Sequence, residues 1–368
     1  MLKIAKKEQF LEKVKEVDSI ICFGSGKRIE YLCNIFKGTN IWRKIICFVD
    51  NDINKQNLKI LLPDSEVIVV SFDYLKSIDI SNSVFLITCA AYTEILEKID
   101  KIESLKNIEC YCLSHMIGFE KEKLALKKKL PQSLKRSNTM LIPKVIHYCW
   151  FGGNPLPDKY KMWMESWHKY CPDYKIIEWN EDNYDISKIK YMEQAYKQKK
   201  WGFVPDVARL DIIYQYGGIY LDTDVELINN IDELLYQKGF AGFESDRHVA
   251  LGLGFGAISG LPIIKEMLDM YKEINFVNKD GSLNLTASPV WQTELLKQKG
   301  MIANGEYQVI NDLTIMPEKV LCGKNGNSKR LRLTPYTRAI HHYEGSWLNE
   351  KQKYLNKRFE REMNEIID

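Results

Sequence analysis

The sequence lacks the long apolar run that a membrane-spanning helix requires. A span needs about 20 consecutive apolar residues, whereas the longest apolar stretch, from Val84 to Tyr92, is much shorter and is interrupted by Thr88. Residues 1–8 form an amphipathic opening without the apolar core of a secretory signal. We therefore expect a soluble, cytoplasmic protein.

Strong charge bias and paired cysteines are missing too. The net charge is +3, from 52 basic and 49 acidic side chains, and 45% of the residues are hydrophobic, which excludes a disordered chain. No nucleic-acid recognition motif accompanies the basic residues, so we expect no nucleic-acid partner. The nine cysteines form no C-x-x-C pair, which favours buried reduced thiols over a zinc site or a disulfide framework.

The first part of the chain alternates short apolar runs with helical patterns. The apolar runs are Ser19–Phe23, Lys44–Val49, Glu66–Val70, Val84–Thr88 and Ile108–Leu113. Short apolar strands separated by helices predict a parallel sheet that is covered on both faces. We therefore predict an α/β fold class, with a Rossmann-like parallel-sheet domain over residues 1–118.

A glycine turn, Gly24-Ser25-Gly26, follows the first apolar run, and Asp50 ends the second. This is half of a dinucleotide-binding fingerprint, because Ile29 stands where the third glycine should be. Two interpretations remain open. The turn is either a tight strand-to-helix connection, or a nucleotide site that would make the protein an oxidoreductase or a sensor.

Residues 119–140 are predicted to form a basic helix and linker between two domains. Their basic residues are Lys121, Lys123, Lys127, Lys128, Lys129, Lys135 and Arg136. We place a second domain at residues 141–348 and a C-terminal helix at 349–368. For both charged helices the alternatives are a solvated face and a peripheral membrane contact, so the predicted location is the cytoplasm or the inner face of the cell membrane.

Two aspartates, Asp222 and Asp224, lie at the end of an apolar strand pattern. Side chains two apart in a strand point to the same face, so both carboxylates can reach one point. Two oxygen ligands with coordination positions left over suit Mg²⁺ or Mn²⁺ shared with a diphosphate. By itself, a D-x-D pattern is weak evidence for a metal site, and an ordinary loop is the more common explanation.

The preceding pattern, Val204–Tyr216, predicts a helix that ends at Gly217-Gly218 and leads directly into the D-x-D strand. Asp206 and Arg209 lie three residues apart on one face of this helix. They form either a structural ion pair or part of the same site as the D-x-D aspartates.

Several ordered blocks carry a more specific signal. They are Ile142–Gly153, Glu165–Trp167, Pro172–Tyr174, Glu178–Asn180, Phe203–Leu210, Tyr216–Asp224 and His341–Trp347. Together they resemble the DXD-containing glycosyltransferases of bacterial capsular polysaccharide synthesis, which are similar to yeast outer-chain mannosyltransferases and to the catalytic domains of clostridial glucosylating toxins. The resemblance covers about residues 140–350 and does not extend to the first domain.

This resemblance implies a GT-A glycosyltransferase domain that uses Mn²⁺ or Mg²⁺ and transfers a sugar with retention of anomeric configuration. The donor would be a nucleotide-diphosphate sugar, for which we expect a UDP-hexose or UDP-N-acetylhexosamine. The acceptor would be an oligosaccharide or a lipid-linked glycan in surface polysaccharide synthesis. The alternative within the same class is a protein-modifying glycosyltransferase.

The resemblance also implies roles for individual residues. Asp206, Arg209, Asp222 and Asp224 would form the catalytic set, with Asp206 and Arg209 on the donor sugar and its phosphates. The implied metal ligands are Asp222, Asp224 and His342. The implied nucleotide-sugar contacts are His147, Trp150 (on the base), Gly152, Asp206, Arg209, Tyr220, Asp222, Ser346 and Trp347, the last two closing over the diphosphate.

The chain departs from the family pattern at Thr286-Ala287-Ser288-Pro289, where many members have Thr-Gly-Pro, so the donor contact made there is an open question. Two further segments, Asp246–His248 and the glycine-rich Leu251–Gly256, have two interpretations. They border the acceptor, or they form a hairpin in which the glycines permit tight backbone turns.

Overall fold

The computed structural model describes residues 2–89, 92–105, 107–326, 328–345 and 350–365. The chain divides into two compact units, one of residues 1–123 with 358–368 and the other of residues 124–357. The division therefore falls shortly after residue 118, within a helix. No helix in the described ranges is both long and apolar enough to span a bilayer.

The first unit is built on one sheet with strands β1 (Leu2–Lys3), β2 (Ser19–Phe23), β3 (Ile45–Val49), β4 (Lys59–Leu62), β5 (Ser65–Val70), β6 (Ser83–Ile87) and β7 (Cys110–Cys112). The strand order is β1-β7-β6-β2-β3-β5-β4, and every neighbouring pair is parallel except β4 with β5. The helices are α1 (Lys7–Glu16), α2 (Ile29–Ile35), α3 (Tyr92–Ile99) and the first part of α4 (Leu113–Lys127). Apolar clusters cover both faces of the sheet, so the predicted α/β class with parallel strands is confirmed.

The glycine turn after β2 is held by Asp50. Oδ2 of Asp50 accepts hydrogen bonds from the backbone N–H of Ser25 at 2.9 Å and from its hydroxyl at 2.6 Å. The Lys55 ammonium lies 3.3 Å from the same oxygen, and Oδ1 accepts from the Asp52 N–H at 3.0 Å. Both carboxylate oxygens of Asp50 are thus engaged within the protein.

The second unit contains the remaining strands: β8 (Val145–Cys149), β9 (Lys175–Trp179), β10 (Gly218–Tyr220), β11 (Val225–Leu227), β12 (Gly239–Phe243), β13 (Val249–Ala250), β14 (Phe255–Ala257), β15 (Gln308–Ile310), β16 (Leu313–Met316) and β17 (Ala339–His341). Its helices are α5 (Asp158–Tyr170), α6 (Lys190–Lys197), α7 (Pro205–Tyr216), α8 (Pro262–Glu273), α9 (Ser288–Gln298) and α10 (Glu318–Leu321). The main sheet has the order β15-β16-β12-β14-β10-β8-β9, with β13 on β12. Strands β11 and β17 form a separate antiparallel pair.

Helix α7 and the two glycines after it set the direction of β10. Pro205 occupies the first turn, where its missing N–H is tolerated. Gly217 and Gly218 have φ values of 66° and 102°, a region that favours glycine. A Cβ on Gly218 would also lie 2.8 Å from the carbonyl oxygen of Val145, so the close approach of β10 to β8 requires glycine there.

The last helix, α11 (Glu350–Asn364), ends in the first unit. The carboxylate of Glu362 accepts hydrogen bonds from the Tyr92 hydroxyl at 2.6 Å, from Nε2 of His115 at 2.9 Å and from Nε of Arg358 at 2.9 Å. Glu362 and Met363 are buried. The end of α11 is therefore part of the first unit's core, which differs from the predicted separate and solvated C-terminal helix.

All nine cysteines lie in the described ranges as free thiols, and seven of them are buried, as expected from the absence of paired cysteine motifs.

We expect Glu362→Gln to lower the free energy of unfolding of the first unit by about 1–3 kcal/mol at pH 7, because it weakens a buried hydrogen-bond network. Burial raises the pKa of Glu362, but hydrogen bonds from His115, Tyr92 and Arg358 outweigh it and bring that pKa to about 2. A lowered carboxyl pKa contributes stability above the unfolded-state pKa of about 4.3, and this contribution is lost as the pH falls toward 2.

Urea denaturation at a series of pH values tests this prediction. The wild type should lose more stability between about pH 5 and pH 2 than the Glu362→Gln variant. The matched control is Glu365→Gln, at an exposed residue that directly follows the same helix. Equal stability of the two variants at pH 7 would contradict the prediction.

Candidate functional site

The turn after β10 carries the two aspartates of the D-x-D motif. The N–H of Leu221 extends the pairing of β10 with β8 by donating to the His147 carbonyl at 3.1 Å. The chain then turns, since the N–H of Val225 donates to the Asp222 carbonyl at 3.0 Å and β11 begins at Val225. Asp222 and Asp224 therefore lie at the carboxyl end of β10.

His341 lies beside these aspartates. The register of the antiparallel β11–β17 pair places His341 opposite Val225. Nε2 of His341 is 3.1 Å from Oδ1 of Asp224 and 3.9 Å from Oδ2 of Asp222. One ligand-type atom from each of the three side chains lies within 4.8 Å of the other two. Two carboxylate oxygens and one imidazole nitrogen at this spacing fit a divalent cation such as Mn²⁺ or Mg²⁺.

The three side chains strongly affect one another's protonation. Burial raises the pKa of Asp224, but the charge of His341 and hydrogen bonds from His341 and the Glu344 N–H outweigh it and bring that pKa to about 2. Burial lowers the pKa of His341, and the carboxylates of Asp224 and Asp222 raise it by more. The two carboxylates thus favour the protonated form of His341, whose charge is opposite to that of Asp224.

His342, which the resemblance implied as the metal ligand, is engaged elsewhere. Its Nε2 lies 2.9 Å from Oε2 of Glu226, and its ring stacks on Trp163 with the ring centroids 4.0 Å apart. Because neighbouring side chains in a strand point to opposite faces, only one of two adjacent histidines can meet the aspartates. The structure therefore brings His341, and not the predicted His342, beside the two aspartates.

Arg209 links the helix aspartate to the D-x-D motif. Its NH2 atom lies 2.8 Å from Oδ1 of Asp206 and 3.5 Å from Oδ1 of Asp222. Its guanidinium carbon is 5.0 Å from the ring centroid of Tyr220, and its Nε donates to the Pro205 carbonyl at 2.9 Å. The structure thus brings the predicted Asp206, Arg209, Tyr220 and Asp222 into one network, in which Asp206, Arg209 and Tyr220 are buried.

Asp206 is unusual in this network because burial raises its pKa to about 6, although Arg209 and a hydrogen bond from Ser288 act in the opposite direction. Ser288 begins α9 and belongs to the Thr286–Pro289 segment that departs from the family pattern. The segment therefore reaches the network through a serine hydroxyl.

The glycine-rich segment Leu251–Gly256 lies next to the D-x-D motif. Asp246–His248 forms the turn of a hairpin, with the Glu244 N–H donating to the His248 carbonyl at 2.9 Å. Gly252 follows this hairpin and packs against Asp222: a Cβ on Gly252 would lie 2.2 Å from Oδ2 of Asp222 and 3.0 Å from NH1 of Arg209.

The predicted nucleotide contacts Trp150 and Gly152 lie just after β8. Trp150 is partly buried, and its Nε1 donates to the Asn154 carbonyl at 2.6 Å. The Gly152 N–H donates to Oε1 of Glu181 at 2.6 Å. A Cβ on Gly152 would lie 2.6 Å from the ring of Trp201, so the loop approaches that indole closely. Ser346 and Trp347, the predicted diphosphate contacts, lie outside the described residues.

His147, a predicted nucleotide-sugar contact, is buried, and both of its ring nitrogens are hydrogen-bonded within the protein. It is 1% exposed, its Nδ1 accepts a hydrogen bond from Nε1 of Trp179 at 3.0 Å, and its Nε2 donates to the Gly217 carbonyl at 3.0 Å. Burial lowers the pKa of His147 to about 4, so the ring is neutral at pH 7. Both nitrogens are occupied, and the ring fixes the glycine turn that precedes β10.

Sequence analysis missed Glu244, which follows β12. Burial desolvates its carboxyl group and raises its pKa to about 7. The negative charge of Glu318 also raises this pKa, whereas His341 lowers it. A single glutamate after a short strand gives no signal in the sequence. Its desolvation depends on contacts between segments that are distant in the sequence.

Comparison with known proteins gives a family match for the central segment. Residues 157–241 match the family described as "Glycosyltransferase sugar-binding region containing DXD motif". This segment contains Asp206, Arg209, Asp222 and Asp224, so the predicted resemblance to DXD-containing glycosyltransferases is confirmed for this part of the chain. His341 lies outside the matched residues.

Individual relatives are mannosyltransferases of Schizosaccharomyces pombe. Inositol phosphoceramide mannosyltransferase 3 is 28% identical over 160 residues, which are 41% of this chain and 43% of the relative. Inositol phosphoceramide mannosyltransferase 2 is 30% identical over 108 residues, 27% of this chain and 30% of the relative. The chain thus spans less than half the length of these relatives.

Among solved structures, PaToxG Glycosyltransferase is similar with a TM-score of 0.33 and 20% identity, covering 50% of this chain and 80% of that chain.

We expect Gly252→Ala to displace the Asp222 carboxylate, because the added Cβ would lie 2.2 Å from Oδ2 of that residue. In calorimetric titration the variant should bind Mn²⁺ at least about tenfold more weakly than the wild type. Loss of a group that orients a metal ligand typically weakens metal affinity by about this factor. The matched control is Gly26→Ala, since a Cβ on Gly26 would meet nothing within 4 Å. Unchanged Mn²⁺ affinity in Gly252→Ala would show that the packing of Gly252 does not control Asp222.

Proposed function

We propose that this protein is a metal-dependent glycosyltransferase that moves a hexose from a nucleotide-diphosphate sugar to a glycan or lipid-linked acceptor. The observation that carries the proposal is the convergence of Asp222, Asp224 and His341 within 4.8 Å. Asp222 and Asp224 lie within the segment that matches a glycosyltransferase sugar-binding region, and His341 lies outside it. The parallel sheet of the first unit and the mixed sheet of the second support a Rossmann-like domain followed by a GT-A domain.

Asp222, Asp224 and His341 are the residues that would hold the metal. A divalent cation held there would supply positive charge to stabilise a departing diphosphate. The donor set fits this ion because it offers hard carboxylate oxygens together with one imidazole, and it leaves coordination positions for phosphate oxygens. We propose Mn²⁺ or Mg²⁺.

The Arg209 guanidinium supplies the fixed positive charge of the site. It is buried between Asp206 and Asp222, so its orientation is set before a donor arrives. A fixed guanidinium can donate to donor phosphate or sugar oxygens without reorganising during the reaction. We propose that Asp206 orients Arg209 and contacts the donor sugar, and that Trp150 stacks on the base.

We propose retention of anomeric configuration, as the resemblance to the DXD glycosyltransferases implies. The acceptor hydroxyl would then attack the face from which the diphosphate leaves. For the donor, both uridine and guanosine diphosphate sugars are candidates: our sequence-based expectation is a UDP-hexose or UDP-N-acetylhexosamine, whereas the named relatives are mannosyltransferases. The proposed acceptor is a surface glycan or its lipid-linked precursor at the cytoplasmic face of a membrane.

We expect Asp224→Ala to abolish metal-dependent release of nucleoside diphosphate from the donor, because it removes a ligand and the partner of His341. The measurement is acceptor-free hydrolysis across a panel of UDP- and GDP-sugars, with Mn²⁺ and with chelator. Hydrolysis of one donor by the wild type identifies the sugar, and proton NMR of the released or transferred sugar reports its anomeric configuration. Full metal-dependent activity in Asp224→Ala would overturn the proposed site.

The two adjacent histidines provide a matched pair of variants. We expect His341→Ala to weaken Mn²⁺ binding by at least about tenfold, as loss of one ligand from a three-ligand set should. His342→Ala removes a stacking contact with Trp163 and a hydrogen bond to Glu226, and should leave Mn²⁺ affinity within about twofold of the wild type. If His342→Ala weakened Mn²⁺ binding more than His341→Ala, His342 would be the metal ligand, as the sequence resemblance implied.

A further inference from the structure

Two basic segments of the second unit, residues 124–140 and 319–343, meet at Lys319. The first segment has five lysines and arginines and the second has six, and neither contains an aspartate or a glutamate. The Lys319 ammonium lies 3.5 Å from the Leu126 carbonyl oxygen, near the end of α4, and 5.4 Å from the ring centroid of Tyr336. The Lys319 carbonyl accepts a hydrogen bond from the Thr337 hydroxyl at 2.8 Å. The two segments therefore form one surface, although they are far apart in the sequence.

Apolar side chains project from this surface. Leu331 is 59% exposed, Leu333 51% and Tyr336 47%. Arg332, between the two leucines, is buried, so exposure alternates along the segment and both leucines lie on its outer side. Leu333 and Tyr336 are three residues apart, a distance of at most about 11 Å along the chain. An apolar patch rimmed by polar residues marks an interaction surface.

The backbone beside the leucines is anchored. Lys324 and Leu331 form an antiparallel bridge, and the Arg332 N–H donates to the Gly323 carbonyl at 2.7 Å. The leucines are therefore held outward by the fold of this segment.

The cations around the patch outnumber the acids that face them. Three of the cations are paired with acids from neighbouring elements: Lys128 with Glu306, Arg332 with Glu318 and Arg338 with Glu233. Among the residues that the structure describes, Lys127, Lys129 and Lys319 form no ion pair. The surface thus keeps a positive charge, which favours an anionic partner.

We propose that this surface binds the anionic headgroup layer of a lipid bilayer. We call it the basic–apolar face and define it by Lys127, Lys129, Lys319, Leu331, Leu333 and Tyr336. The leucines enter the interfacial region, where their apolar area is removed from water, and the tyrosine ring sits at the same level. The lysines attract anionic headgroups. A bilayer fits both features because it offers negative charge above an apolar layer, whereas a soluble polyanion offers only the charge.

The basic–apolar face is linked to the D-x-D cluster by two contacts. The Lys329 ammonium, on the same segment, donates to the Tyr343 carbonyl at 3.1 Å. The Tyr343 ring meets the His341 ring edge to face, with the centroids 4.3 Å apart. Binding to a bilayer would hold the cluster close to a lipid-linked acceptor. That consequence rests on the proposed function, whereas the membrane contact itself does not.

Flotation of the full chain with lipid vesicles tests the inference. The vesicles are phosphatidylcholine alone, or phosphatidylcholine mixed with an equal amount of phosphatidylglycerol. The wild type should partition at least about tenfold more strongly onto the mixed vesicles, and added salt should weaken this binding.

Two double variants separate the apolar contribution from the charged one. Leu331→Ser/Leu333→Ser and Lys127→Gln/Lys129→Gln should each weaken partition onto the mixed vesicles by at least about tenfold. The matched controls change exposed residues of the first unit: Leu58→Ser/Leu61→Ser and Lys37→Gln/Lys101→Gln. They remove the same groups and should leave partition within about twofold of the wild type, because those residues lie outside the basic–apolar face. All four variants should keep the wild-type Tm in scanning fluorimetry.

Several outcomes would overturn the inference. They are equal partition of the wild type onto both kinds of vesicle, no partition at all, or equal losses in the control variants. If the wild type does not partition and is a dimer by light scattering that Leu331→Ser/Leu333→Ser makes monomeric, the face is a contact between two copies of the chain. Each of these results leaves the proposed glycosyltransferase site intact. Vesicle binding by a wild type that hydrolyses no donor would instead count against the proposed function and leave the membrane contact standing.

Discussion

The register of the β11–β17 pair determines which side chains meet at the D-x-D turn. It places His341 opposite Val225, one residue after Asp224, and so joins two segments that are far apart in the sequence. A shift of this register by one residue would turn His341 to the other face of the ribbon and bring a different side chain toward the aspartates. The chemistry proposed for the second unit therefore depends on a backbone pairing outside the main sheet.

Charge balance is the second constraint on the site. Two carboxylates as close as those of Asp222 and Asp224 repel each other, and a unit-charge interaction at about 4 Å amounts to about 4 kcal/mol at an effective dielectric constant of about 20. Arg209 offsets the charge of Asp222, and His341 offsets that of Asp224. A divalent cation would compete with the proton on His341, since both need Nε2. The same histidine can thus stabilise the metal-free fold and serve as a ligand.

Local patterns in the sequence were sufficient for part of this site. Asp206, Arg209, Asp222 and Asp224 lie on one helix–strand connection, so helical and strand periodicity place them near one another without knowledge of the fold. His341 and Glu244 could not be predicted in this way, because their positions depend on the register of β17 and on the packing of the hairpin after β12. For His147, the sequence predicted a place near the site but could not predict its hydrogen bonds. Both ring nitrogens are hydrogen-bonded, one to Trp179 and the other to the Gly217 carbonyl.

The fold was predictable to a similar extent. Apolar runs gave the parallel strands of the first unit, because continuous apolar strands are typical of sheets that are covered on both faces. The antiparallel β4 and the short strands of the second unit, such as β11, β13 and β17, have too few residues for a periodic signal. The end of α11 was predicted as solvated because its charges dominate the pattern, whereas Glu362 is buried by a network with His115 and Tyr92 that only the fold assembles.

The first unit shows how one sequence pattern can have two physical causes. A strand, a glycine turn, a helix and a later aspartate are typical of dinucleotide sites, in which the aspartate binds a ribose hydroxyl. Here both oxygens of Asp50 are used by Ser25, Asp52 and Lys55, and a Cβ on Gly24 would lie 2.7 Å from Cβ of Cys89. Packing and turn geometry thus account for Gly24 and Asp50 without a ligand. The oxidoreductase hypothesis loses the carboxylate on which it depended, and the chemistry of the protein is best sought at the D-x-D turn of the second unit.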